Sequence, residues 1–218
     1  MKRKAWAILL ILMLALWGCG SSDKGEEEKT STPSPPAKEA PAKPAAASNA
    51  DTIKYRIKDG NDNDFAKVKQ MKAGRWTATL GDRKYSLEKS DKYKFALPDG
   101  TEYKAKRDGD KLKLKKGEDT LLEMKFYNDK VKVTATGGKT YEFKYKDERI
   151  KVTLDDRELG KVKYYSDKGK LKAKDADDKE VAVLKGYTKA TPALAPLLIS
   201  EWPEDIKVFI MLYYFMEG

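Results

Sequence analysis

The chain holds a single cysteine, Cys19, and no histidine. Without histidine it lacks the commonest general base and metal ligand, and with them Ser–His and Cys–His nucleophile pairs. The chemistry open to Cys19 is set by its neighbours. Met1-Lys2-Arg3-Lys4 is a positively charged start, Ala5 to Trp17 is an apolar run, and small Gly18 stands just before the thiol. A charged region, a short apolar region and a small residue at a processing point read as a secretory signal. The run is shorter than the ~20 apolar residues that a membrane-spanning helix needs. A lone thiol cannot close an intrachain disulfide, and its bland fate would be burial in a core. Its place directly behind the apolar run favours covalent lipidation at Cys19 instead.

Other chemical signals are weak. Ser21-Ser-Asp-Lys24 spells S-x-x-K, but in a stretch with no fold to position it. Asp59-Gly-Asn61-Asp62-Asn63-Asp64 has the opening of a calcium loop, yet Asp64 and Gln70 stand where that loop needs Gly and Glu. A hairpin loop is the stronger reading. Asp155-Asp156 and Asp177-Asp178 occupy turn positions, where Asp is favoured for backbone reasons. The glycines are scattered through turns and form no phosphate cradle. The expectation is therefore a protein that is not an enzyme, with no catalytic residue, no cofactor and no metal.

Leu16-Trp17-Gly18-Cys19 resembles the lipobox of bacterial lipoproteins. The resemblance implies that residues 1–18 are a signal peptide. It also implies that Cys19 is diacylated, becomes the new N-terminus and is acylated again. The membrane is then a partner through the anchor, and the expected place is the cell envelope. Gly20 follows the cysteine where sorting signals that retain lipoproteins carry Asp, which by resemblance favours the outer membrane of a two-membrane cell.

The elements that follow divide the chain. Residues 19–50 are the lipidated N-terminus and a linker rich in Pro, Ala, Glu, Lys, Ser and Thr. Such a segment cannot bury enough apolar surface to offset ordering entropy, and Pro33, Pro35, Pro36, Pro41 and Pro44 make it an extended tether. Residues 51–218 form the β domain with its C-terminal helix, and from Asp51 the pattern becomes one of strict alternation, which breaks after Gly186. Ile53, Tyr55 and Ile57 face one way while Lys54, Arg56 and Lys58 face the other. The period recurs at Trp76–Leu80, Tyr93–Leu97, Leu112–Leu114, Val131–Ala135, Tyr141–Tyr145, Ile150–Leu154 and Val181–Val183. Each run is a half-buried strand. Asp99-Gly100, Asp108-Gly109, Asn128-Asp129 and Gly137-Gly138 are turn signals between them. The fold class is mainly β: an antiparallel meander closed into a barrel of about 12 strands. An internal repeat supports it. Lys92–Asp129 aligns without a gap on Lys130–Asp167, placing Phe95 on Val133, Tyr103 on Tyr141 and Leu112 on Ile150.

Thr191–Ser200 reads as a short helix or turn. Pro203-Glu204-Asp205 marks a helix start, and Ile206 to Met216 is apolar nearly all round, which belongs inside something. The barrel should therefore close around this C-terminal helix. A meander with Tyr93-Lys-Phe95-Ala-Leu-Pro-Asp99-Gly100-Thr-Glu-Tyr103, then Glu180-Val-Ala-Val-Leu184, then an apolar helix resembles the tubby-like barrel, in its LURP-one-related and scramblase-like branch. Membership would imply the fold and membrane association without fixing an activity.

Formal net charge is +10, with the lysines alternating against apolar residues. That balance favours anionic lipid or a cell-envelope polymer as partner, while nucleic acid is not expected for an exported, anchored protein. Two function classes follow. One is a lipid-anchored envelope protein with a non-enzymatic binding or structural domain. The other is a lipid-handling protein that uses the barrel or its basic surface.

Overall fold

The computed structural model describes residues 54–218; the signal region, Cys19 and the linker lie outside the described residues. The strands are β1 (Lys54–Asp59), β2 (Asp64–Gln70), β3 (Arg75–Leu80), β4 (Arg83–Lys89) and β5 (Tyr93–Ala96). They continue with β6 (Glu102–Asp108), β7 (Lys111–Lys116), β8 (Asp119–Phe126), β9 (Lys130–Ala135) and β10 (Thr140–Lys146). The last are β11 (Arg149–Leu154), β12 (Arg157–Tyr165), β13 (Lys170–Asp175) and β14 (Glu180–Lys185). A 3-10 helix (Pro192–Leu198) and one α-helix, α1 (Glu204–Glu217), complete the chain.

Every strand is antiparallel to its chain neighbours, and β1 pairs with β14, Ile57 opposite Leu184, so the ring is closed. Closure leaves no free sheet edge. The barrel has fourteen strands rather than about 12. Bulges explain part of the shortfall, because they interrupt the period-2 signal. The register slips between Val152 and Thr153, and Gly160 on β12 faces that slip with φ 154°. A Cβ at Gly160 would come 2.3 Å from the Lys174 carbonyl oxygen, so only glycine lets β12 and β13 approach there.

The 38-residue repeat is visible in the backbone. Asp62, Gly100 and Gly138 lie 38 residues apart and all take positive φ (67°, 85° and 79°). Each donates its N–H back three residues over 3.1 Å, to Asp59, Leu97 and Ala135. The bulges at Leu114/Lys115 and Val152/Thr153 repeat at the same spacing. Three four-stranded units and a half make up the barrel.

Small eight-stranded barrels fill with their own side chains, but wider ones enclose space. Here the chain fills it. After β14 the 3-10 helix runs back inside, packing on β11 to β14 with Ala193, Leu194 and Ala195 fully buried. Then α1 returns along the opposite wall. Ile206, and Val208 through Phe215, are buried on every side of the helix. Phe209 meets Phe95 at 5.5 Å, Tyr213 meets Tyr93 and Phe126, and Phe215 meets Tyr55, Trp76 and Tyr187. This helix of β-branched and aromatic residues has mediocre intrinsic propensity, so the surrounding sheet is what holds it helical.

Candidate functional site

Polar groups inside the barrel are spent on holding the plug at both ends. At the α1 N-terminus, Tyr85 donates to Glu204 at 2.6 Å, Tyr103 to Asp205 at 3.0 Å, and Tyr141 to Glu201. Arg83 pairs with Glu204 at 2.6 Å and Lys139 with Glu201 at 2.6 Å. At the other end, Tyr93 and Lys89 hold Glu217 at 3.0 and 2.6 Å, and Arg107 donates to the Tyr213 hydroxyl at 3.1 Å. A tyrosine suits these positions because its ring packs on the core while its hydroxyl reaches the rim. Burial, reinforced by the neighbouring carboxylates, pushes Tyr85, Tyr93 and Tyr103 up to about 12. These groups are protonated donors at neutral pH.

The loop Asp59–Asp64 is the β1–β2 hairpin. Asp59 Oδ1 accepts the N–H groups of Asn61 and Asn63, both at 2.9 Å, and Asp62 pairs with Lys58 at 2.8 Å. Its carboxylates are turned to the backbone and to lysine. Asp155 and Asp156 sit at positive φ in the β11–β12 turn, and Asp178 does the same after β13. Ser21 and Lys24, like Cys19, lie outside the described residues. No group of His, Cys, Asp and Glu among the described residues is arranged to hold a metal ion.

Among the clefts of the described residues, two bear on function. One is a largely apolar pocket of about 260 Å3 at the α1 N-terminus, lined by Phe65, Leu80, Leu197, Trp202, Val208 and Met211 together with the charged Glu204. Lys207 stands at its rim, bonded to the Ser200 carbonyl at 3.3 Å, and desolvation lowers its pKa. The other lies on the outer face. Some of that face's lysines are matched by acids. Glu142 gathers Lys130, Lys132 and Lys144 at 3.1, 3.2 and 3.0 Å, and Lys172 pairs with Glu180 at 2.5 Å. Desolvation opposes ionisation of Glu142, but the three ammonium groups prevail and hold it down at about 2. One group of unmatched lysines, Lys92, Lys104, Lys106 and Lys111, lines a cleft of about 560 Å3 over β6 and β7 together with Lys113, Lys115 and Asp108.

The alternation on these strands announces lysines on the outside but not which of them meet acids. The tyrosine clasps and the cleft were therefore missed from the sequence; the inward tyrosines near strand ends were the available signal for the clasps. No protein-family model, curated protein or solved structure matches the chain.

Proposed function

We propose that the protein is a lipid-anchored module of the cell envelope that acts without catalysis, through what the outside of its barrel binds. The observation that carries this reading is the filled interior. The 3-10 helix and α1 occupy the space where a barrel protein would take a ligand, and the carboxylates at both ends of α1 are bound by tyrosines, while the buried hydroxyls of Tyr214 and Thr153 have no partner among the described residues. A plugged barrel offers its outer face. The order of elements, a closed meander ending in an internal apolar helix, also supports the tubby-like resemblance. Cys19, behind its apolar run, supports the anchor.

The test is fatty-acid labelling of the full chain and of Cys19→Ala, followed by membrane fractionation. The wild-type chain is expected to label and pellet, and the variant to do neither. Labelled, membrane-bound Cys19→Ala would overturn the reading.

The apolar pocket beside Lys207 favours a second reading, in which the barrel mouth holds a short acyl chain with its carboxylate on the lysine. Lys207 makes no ion pair among the described residues, and a carboxylate there would supply one beside the more distant charge of Glu204, which lines the same pocket. Displacement of a fluorescent fatty acid by unlabelled fatty acid, lost in Lys207→Glu, is the result that reading requires.

A further inference from the structure

We propose that the cleft over β6 and β7 is the binding site for a linear polyanion carrying repeated phosphate groups. The inference rests on the reading above, an anchored module that binds through its outer face, and names the site and the ligand chemistry.

The cleft concentrates like charge against the stability of the sheet. In register, Lys104 stands directly between Lys94 on β5 and Lys115 on β7, and Lys106 stands opposite Lys113. Like charges directly opposite each other destabilise a β-ladder. Of the lining lysines, Lys113 reaches Glu123 at 3.1 Å and Lys115 reaches exposed Glu118 at 3.8 Å. Lys92, Lys104, Lys106 and Lys111 have no carboxylate within ion-pair distance among the described residues.

The internal repeat supplies the comparison. Moving 38 residues along the chain brings Lys104 onto Glu142 and Lys115 onto Thr153. Glu142 sits in register between Lys132 and Thr153, and it forms ion pairs with three lysines. One unit thus carries an acid at the centre of its lysines, and its sister carries another lysine there. A solution with an acid at this position is available to this backbone, and the cleft departs from it.

The chemistry fits a flexible, phosphate-rich chain. Lysine is a compact point charge that accepts phosphate from many directions, whereas bidentate recognition of one fixed group calls for arginine. Arg107, on the same strand, turns away over the Phe126 ring at 4.7 Å and bonds Tyr213. Lysines two apart along a strand are about 6.7 Å apart, and strands are about 4.8 Å apart. The result is a grid of charge rather than a single pocket. A membrane surface fits less well. The exposed large apolar residues, Phe65, Met71, Tyr127 and Tyr145, lie on other strands or turns, and the surface is concave.

The test uses the full chain in non-ionic detergent micelles and fluorescent inorganic polyphosphate, read by anisotropy across a salt series. Wild type is expected to bind with a steep salt dependence. Lys104→Glu, which copies the sister unit, should bind about tenfold more weakly and lower the salt slope by about one. The same variant should unfold at higher urea, because a repulsion has become an attraction. Lys130→Glu makes the same change in net charge inside the Glu142 network and should leave binding within about twofold. Equal losses in the two variants would show binding to overall charge and overturn the cleft. So would an unchanged affinity in Lys104→Glu. If micelles doped with anionic lipid compete as well as unlabelled polyphosphate does, the occupant is a membrane surface and the proposal fails. Labelling of Cys19 is read separately, so loss of the cleft with an intact anchor leaves the anchored-module reading standing.

Discussion

Replacing Phe209 by alanine tests whether α1 is the core of the barrel. Its ring is completely buried, edge-on to Phe95 at 5.5 Å and beside Tyr213 at 6.3 Å. Truncating a buried phenylalanine costs about 3–5 kcal/mol, and the cost is greatest where the surroundings cannot collapse into the gap. A hydrogen-bonded ring of fourteen strands closes poorly around a cavity, so the upper part of that range applies. Against a total stability of about 5–15 kcal/mol, this is a large fraction. At about 2–4 °C per kcal/mol for a domain of this size, the melting temperature should fall by roughly 8–20 °C. Urea unfolding followed by tyrosine and tryptophan fluorescence gives the free energy, and calorimetry gives the midpoint. The control is Phe65→Ala, on a side chain that is 37% exposed, where a change within about 0.5 kcal/mol is expected. If the two variants lose the same small amount, the helix is not the core and the packing argument fails.

Three further outcomes follow from named contacts. Removing Trp202–Gly218 takes away α1 and leaves wet the inward faces of the strands it packs on, β1, β3, β4, β5 and β8 among them, so the remainder should be insoluble or lack a cooperative melt; a sharp transition with native far-UV signal would refute the internal helix. Gly60→Ala would place a Cβ 2.0 Å from the Glu180 carbonyl oxygen at the β1–β14 seam. The backbone must then shift, at a cost of about 1–3 kcal/mol in urea unfolding, and an unperturbed midpoint would deny that the barrel closes there. Glu142 is held down at about 2 against an ordinary value of 4.5, so its contribution is complete above about pH 4.5 and is lost as pH falls towards 2. After surface screening it amounts to about 1 kcal/mol. The gap between wild type and Glu142→Gln should therefore grow from pH 2 to 4.5 and stay level above, and a gap independent of pH across that window would rule out the lysine network as its cause.

Local chemistry was legible in the amino-acid order. Alternation at Val131–Ala135 or Tyr141–Tyr145 states a strand because side-chain period is a property of the strand itself. Asp99-Gly100 states a turn because its glycine can take φ 85° without strain. The wholly apolar run after Pro203 states a buried helix for a similar reason, since no face of it can be given to water. Bulged stretches such as Arg157–Tyr165 were harder, because one extra residue breaks the period that identifies them. Only the tertiary structure decided what depends on residues far apart in the chain. The pairing of β1 with β14, the entry of the 3-10 helix beside α1, and the tyrosine clasps on Glu201, Glu204, Asp205 and Glu217 join segments separated by 60 residues or more, or elements whose partners no local pattern names. The charge map belongs to the same class. Lys104 and Glu142 occupy equivalent places in two copies of one repeat, and their meaning comes from the residues that register sets beside them, Lys94 and Lys115 for the first, Lys132 and Thr153 for the second. Coulomb energy between exposed charges is screened over about 8–10 Å, so which lysine has a partner is settled by cross-strand geometry and not by sequence spacing.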